Sequence, residues 1–96
     1  MSPKNKIKLN LLRKKLDNID YQLLKVIKKR TVIVKKVLSL KDYKKEIIDK
    51  KRISVVLKKI RKESLKKNID PKITRRIWKN MIWSYIDFEK RNFKKK

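Results

Sequence analysis

The chain has no glycine, cysteine or histidine, and no alanine either. Each absence closes a class of chemistry. Without cysteine there is no disulfide framework and no thiol nucleophile. Without histidine or cysteine, zinc sites and the usual nucleophilic triads are excluded. Without glycine, a phosphate-cradling loop of the nucleotide-binding kind cannot be built. Pro3 and Pro71 are the only strong helix breakers. No apolar run approaches the ~18 residues of a membrane span. The basic N-terminus has no apolar segment after it, which argues against a secretory leader and makes the cytoplasm the expected compartment.

What the chain does have is positive charge. Lys and Arg number 33 against 9 acidic residues, a formal charge of +24 in 96 residues. That balance first suggests an anionic partner such as nucleic acid. Abundant Lys and Ile also fit an AT-rich coding bias. Runs of like charge on helices are usually solvated faces, so nucleic acid is not the expected partner. The length allows one domain with a modest core. It divides into a basic tail over 1–8, a helical domain over 9–93 and a second basic tail over 94–96.

Hydrophobic periodicity predicts an all-α fold of three helices, one long and two shorter. From about Leu9 to Leu40 apolar residues recur in steps of four and three: Leu12, Leu16, Ile19, Leu23, Val26, then Arg30, Ile33, Val37, Leu40 and Lys41. This is the pattern of one long amphipathic helix. A second stripe, Ile53, Val56, Leu57, Ile60 and Ser64, follows Asp49, a helix-start residue. Between them the helix is expected to break near Asp42 to Ile48, although nothing there forbids a helix. Asp70-Pro71 opens the third helix with a capping side chain and a first-turn proline. Its stripe is Ile73, Ile77, Trp78, Met81, Ile82, Tyr85 and Glu89. The first helix would be about 50 Å long at ~1.5 Å per residue. A compact monomer of this size spans only about 30 to 35 Å. A second copy pairing along the stripe resolves the mismatch, so a homodimer is expected.

Three ionisable residues occupy stripe positions. Arg30 and Lys41 are eleven residues apart, which on one continuous helix returns to within about 20° of the same face. Two long cationic side chains there would suit one small anion. Glu89 stands one turn after Tyr85. Each has an ordinary reading as well. An arginine in a seam snorkels or pairs with a carboxylate, and a terminal lysine or glutamate is solvated. Trp78 and Tyr85 read as core. Arg13 and Arg52 add two more cations. Arg13 and Arg30 lie about 100° apart around a helix, so one helix would not aim both at one pocket. An antiparallel partner chain would bring Arg13 in.

The segment LRKKLDNIDYQLLKVIKKR, Leu12 to Arg30, resembles the first helix of the all-helical chorismate mutases. Lys41, then DKKR from Asp49 to Arg52, then IDPKITRRIWKNMI from Ile69 to Ile82, continue the likeness in order. The resemblance covers about Leu9 to Phe93 and implies an intertwined homodimeric helical bundle. Each of its two sites would take one arginine, Arg13, from the partner chain. The substrate implied is a small dianion, chorismate or isochorismate. Position by position, Arg13 and Arg30 would grip its carboxylates. Lys41 would donate to the ether oxygen of the breaking bond. Arg52 would lie near the ring, and the backbone of Asp49 would face the ring hydroxyl. Glu89 falls where the family has Gln, or in some members Glu, as a second donor to the ether oxygen. Lys41, Glu89 and Arg30 are thus the catalytic candidates, and Arg13, Arg30, Asp49, Arg52 and Tyr85 the substrate-binding ones.

Two positions depart from the mutase pattern. Ile53 stands where many members have a Glu that binds the ring hydroxyl, and Tyr85 where many have Ser. Both departures, with the spacing from Lys41 to Arg52, resemble the sister isochorismate-pyruvate lyases, which yield salicylate and pyruvate. Either reaction is pericyclic and needs no nucleophile, metal or cofactor. Glu89 poses a chemical condition, because a carboxylate accepts hydrogen bonds and can donate to an ether oxygen only when protonated. A third reading is a non-enzymatic basic helical protein that binds nucleic acid. It predicts steeply salt-dependent binding and indifference to Lys41→Ala.

Overall fold

The computed structural model describes residues 1–95. Three α-helices run in chain order: α1 Pro3–Ser39, α2 Lys50–Lys66 and α3 Pro71–Asn92. A single 3-10 turn, Lys44–Glu46, lies between α1 and α2. No strand occurs among the described residues. No helix among them is long and apolar enough to cross a membrane.

The first helix starts six residues before Leu9, where the apolar stripe begins. Its cap explains this. Ser2 Oγ accepts from the Asn5 N–H at 3.2 Å, and the Ser2 carbonyl accepts from Lys6 N–H at 2.9 Å. Pro3 then occupies the first helical position, where a missing N–H costs nothing. With no glycine or further proline to interrupt it, the helix continues for 37 residues.

It also ends earlier than the stripe suggested. Leu40 and Lys41 fall outside α1. Their N–H groups donate back three residues, to Val37 and Leu38, both at 3.1 Å. The chain then leaves the helix because Glu46 supplies alternative partners. Its Oε2 accepts from the N–H groups of Asp42 and Tyr43, each at 2.8 Å. Buried Ile47 holds the turn inward. The expectation that Arg30 and Lys41 share one helical face is therefore corrected, since Lys41 is not on the helix.

Both predicted starts are observed. Asp49 Oδ1 accepts from Arg52 N–H at 3.0 Å and opens α2. Asp70 Oδ1 accepts from Lys72 N–H at 2.9 Å, with Pro71 first in α3. The connection between them uses a left-handed residue without glycine. Asn68 has φ 56°. Ile69 N–H donates to Ser64 O at 2.9 Å and Asn68 N–H to Leu65 O at 3.3 Å, the two bonds of a Schellman ending. Asparagine tolerates this backbone better than other non-glycine residues.

The chain divides into two compact units, Met1–Ile33 and Val34–Lys96. The first is helix alone and contains no buried residue. The second holds the core. Leu38, Ile47 and Ile86 are buried, with Ile48, Ile53, Ile82 and Phe93 packed against them. Helices α2 and α3 pack on each other. Between them Ser64 Oγ and Thr74 Oγ1 share a buried hydrogen bond of 2.7 Å. Ser64 also donates to Ile60 O at 2.6 Å, so this polar residue in an apolar stripe is satisfied.

Candidate active site

The core of the second unit carries one ion pair. Lys41 Nζ donates to Glu89 Oε1 at 3.1 Å, with the two side chains 18% and 8% exposed. The residues are 48 apart in sequence. Lys41 reaches the pair from the turn after α1. Glu89 reaches it from α3, one turn beyond buried Ile86. A charged pair with so little water around it is held by its own geometry. Removing one partner leaves the other buried and uncompensated, at a cost on the order of 3–5 kcal/mol. Such a pair is weak evidence for stability.

Tyr85 lies one turn before Glu89 on the same face of α3 and is half-buried. Its ring meets Phe88 edge to face, with centroids 6.4 Å apart and planes at 87°. Asp49 and Arg52 stand together at the start of α2. There the Asp49 side chain is engaged as the cap, and the Arg52 side chain is exposed. Ile53 packs against the apolar cluster. Arg13 and Arg30 belong to the first unit, Arg13 exposed and Arg30 half-buried on α1. The structure thus brings Lys41 and Glu89 into contact, places Tyr85 beside them along α3, and pairs Asp49 with Arg52 at a helix start.

Sequence reasoning missed Glu46. Its carboxylate organises the turn that carries Lys41. The N–H groups of Tyr43 and Asp42 hold its carboxyl below the ordinary carboxylate value, and the charges of Lys45 and Lys41 add to that. The signal was present as an acidic residue three positions after the start of a non-helical turn, the spacing of a reciprocal cap.

The family model described as Chorismate mutase type II matches residues 12–90. The chain belongs to the all-helical chorismate mutase family. No curated protein and no solved structure gives a significant match. The matched span contains Arg13, Arg30, Lys41, Asp49, Arg52, Tyr85 and Glu89. Family membership supports a chorismate mutase-type function on a chorismate-type substrate.

Proposed function

We propose that this chain is a chorismate mutase, acting as an intertwined homodimer in the cytoplasm and rearranging chorismate to prephenate without cofactor or metal. The observation that carries the reading is the contact of half-buried Lys41 with buried Glu89 in a chain of this family. The domain proposed for this activity is 9–93, and the basic segment before it already belongs to α1 from Pro3 onward.

The reaction breaks an ether C–O bond and forms a C–C bond within one flexible dianion. The protein's work is to hold the compact conformer and to stabilise charge on the ether oxygen. Orientation alone is worth up to ~7–11 kcal/mol in the best cases. Lys41 is the donor to that oxygen, where a fixed ammonium in a nearly dry site acts most strongly. Arg30 and the partner copy's Arg13 grip the carboxylates through paired N–H donors. The Arg52 side chain and the Asp49 backbone border the ring, and Tyr85 packs beside it. Glu89 holds the Lys41 ammonium when empty and serves as second donor when protonated.

The homodimer is supported by the state of the α1 stripe. Leu12, Leu16, Ile19, Leu23, Val26 and Ile33 are each more than half exposed in the single chain. Six apolar side chains in helical register are a face that water does not favour.

One observation favours the lyase as second reading. Ile53 is taken up by the apolar cluster, so position 53 offers the ring no polar group. Purified protein given chorismate and, separately, isochorismate separates the two. Prephenate from chorismate is the expected product. Salicylate plus pyruvate as the dominant products would replace the mutase with the lyase. Turnover of neither would favour the basic binding protein. In the same assay Glu89→Gln, which keeps a hydrogen-bond donor, should retain more turnover than Glu89→Ala, and equal turnover in the two would remove Glu89 as a donor.

A further inference from the structure

Lys41 sits in a short polar turn, and a catalytic ammonium is useful only if its backbone is held. Glu46 ties that turn from its C-terminal side through Asp42 and Tyr43. A second tie comes from beyond α3. At Phe93 the backbone becomes extended, with φ −71° and ψ 121°. Phe93 packs against the Leu38, Ile47 and Ile86 cluster. Lys95 returns to the end of α1. There Lys95 Nζ donates to the Ser39 carbonyl at 2.7 Å and lies 3.7 Å from Asp42 Oδ1. Ser39 and Asp42 flank the Leu40–Lys41 pair on either side. The Ser39 carbonyl is also among those a helix leaves unsatisfied at its negative end, where a cation is favourable.

We propose that Lys95 is a positioning residue for Lys41. By bridging the last helical carbonyl and the Asp42 carboxylate, it pins both ends of the turn and so fixes where the Lys41 ammonium is presented. The proposal rests on the reading of Lys41 as the donor to the ether oxygen. The bridge faces water, with the Lys95 and Asp42 side chains 46% and 77% exposed. Exposed pairs add little to global stability. The effect is geometric, because a misplacement of about 1 Å at a reacting centre can cost ~100-fold in rate.

The test uses the full chain, three single variants and a Lys41→Arg background. Lys95→Met keeps the alkyl stem and removes the donor. Lys95→Arg restores a donor, and Lys94→Met removes an equal charge next door. Lys95→Met should lower kcat roughly three- to tenfold with KM changed less than about twofold. Amide hydrogen exchange at Lys41, Asp42 and Tyr43 should quicken by a similar factor, with the thermal midpoint unmoved. Lys95→Arg should recover most of the loss, and Lys94→Met should match wild type. In a Lys41→Arg background, Lys95→Met should cost nothing further, since the two act as a unit. Unchanged exchange at the turn in Lys95→Met overturns the tie itself. Equal losses in Lys94→Met and Lys95→Met overturn it in favour of bulk charge. Faster exchange with unchanged kcat overturns the positioning role. A wild type that turns over neither substrate overturns the proposed reaction, and exchange at the turn then decides the tie alone.

Discussion

The two units of this chain follow the same helical period and meet different fates. In Val34–Lys96 the α2 stripe and the later part of the α3 stripe, from Trp78 to Glu89, are largely covered, because a four-residue connection folds one helix back on the next, while Ile73 and Ile77 stay more than half exposed. In Met1–Ile33 an equally regular stripe stays exposed, because that unit contains one helix and nothing to cover it. Periodicity shows that a face is meant to be covered. It does not show by what. A covering element can come from the next segment of the same chain or from another molecule, and only the first follows from connection length.

The largest effect should come from spoiling the uncovered face. Ile19→Lys with Leu23→Lys should prevent association and reduce turnover by more than about 100-fold, since each stripe residue buried in a dimer is worth roughly 1.5–3 kcal/mol. Sedimentation velocity should show a monomer and circular dichroism a loss of helix. An active particle of unchanged size would mean the stripe is no interface.

The next effect is confined to the proposed site and tests whether the units cooperate across chains. Arg13→Ala and Lys41→Ala should each lower kcat by about 100- to 1,000-fold. Mixed after co-refolding, the two inactive proteins should recover roughly a quarter of wild-type activity, because half the dimers are mixed and each holds one intact site. No recovery would place Arg13 and Lys41 in the same chain's site.

Within the covered unit the effects are those of a small core. Ile86→Ala should cost about 2–4 kcal/mol in urea unfolding. A cost near zero would mean that the Leu38, Ile47 and Ile86 cluster does not hold the unit together.

The smallest effect concerns the Lys41 turn. Because its folded carboxyl is held below the ordinary value, Glu46 contributes stability that is complete above that value and is lost as pH falls through the lowered one. Exchange at the Asp42 and Tyr43 amides should therefore quicken in acid beyond its intrinsic pH dependence. In Glu46→Gln the corrected rate should be faster at neutral pH and independent of acidification.

The three helices were legible because their signals are local. Asp49 and Asp70-Pro71 are start signals within a few residues of what they control. The Ser2-Pro3 start was equally local, yet it was outweighed by a stripe that begins only at Leu9. The break near Asp42 to Ile48 was legible only as the gap between two stripes, because 42–48 contains nothing that breaks a helix. What ends α1 is the competition of the Glu46 carboxylate for two N–H groups together with the burial of Ile47. Neither has a periodic signature. The site was half legible. Lys41 and Glu89 stood out as charges in apolar stripes and matched a family pattern. Their contact across 48 residues belongs to the tertiary packing, which no helical wheel contains. Lys95 was hidden among many lysines, distinguished only by the carbonyl it reaches.

The Schellman ending at Asn68 bears on the order of events in folding. It closes a helical hairpin through residues a few positions apart, and the Ser64–Thr74 bond locks that hairpin across only ten. Contacts so close in sequence form with little loop entropy to overcome and at rates independent of concentration. The α1 stripe has no such local reward. If α1 is covered by a second copy as proposed, refolding should show an early first-order phase in which α2 and α3 meet, followed by a second-order phase in which α1 finds its cover. The chain would then spend its most aggregation-exposed interval with the hairpin already made and its longest helix still waiting for a second molecule.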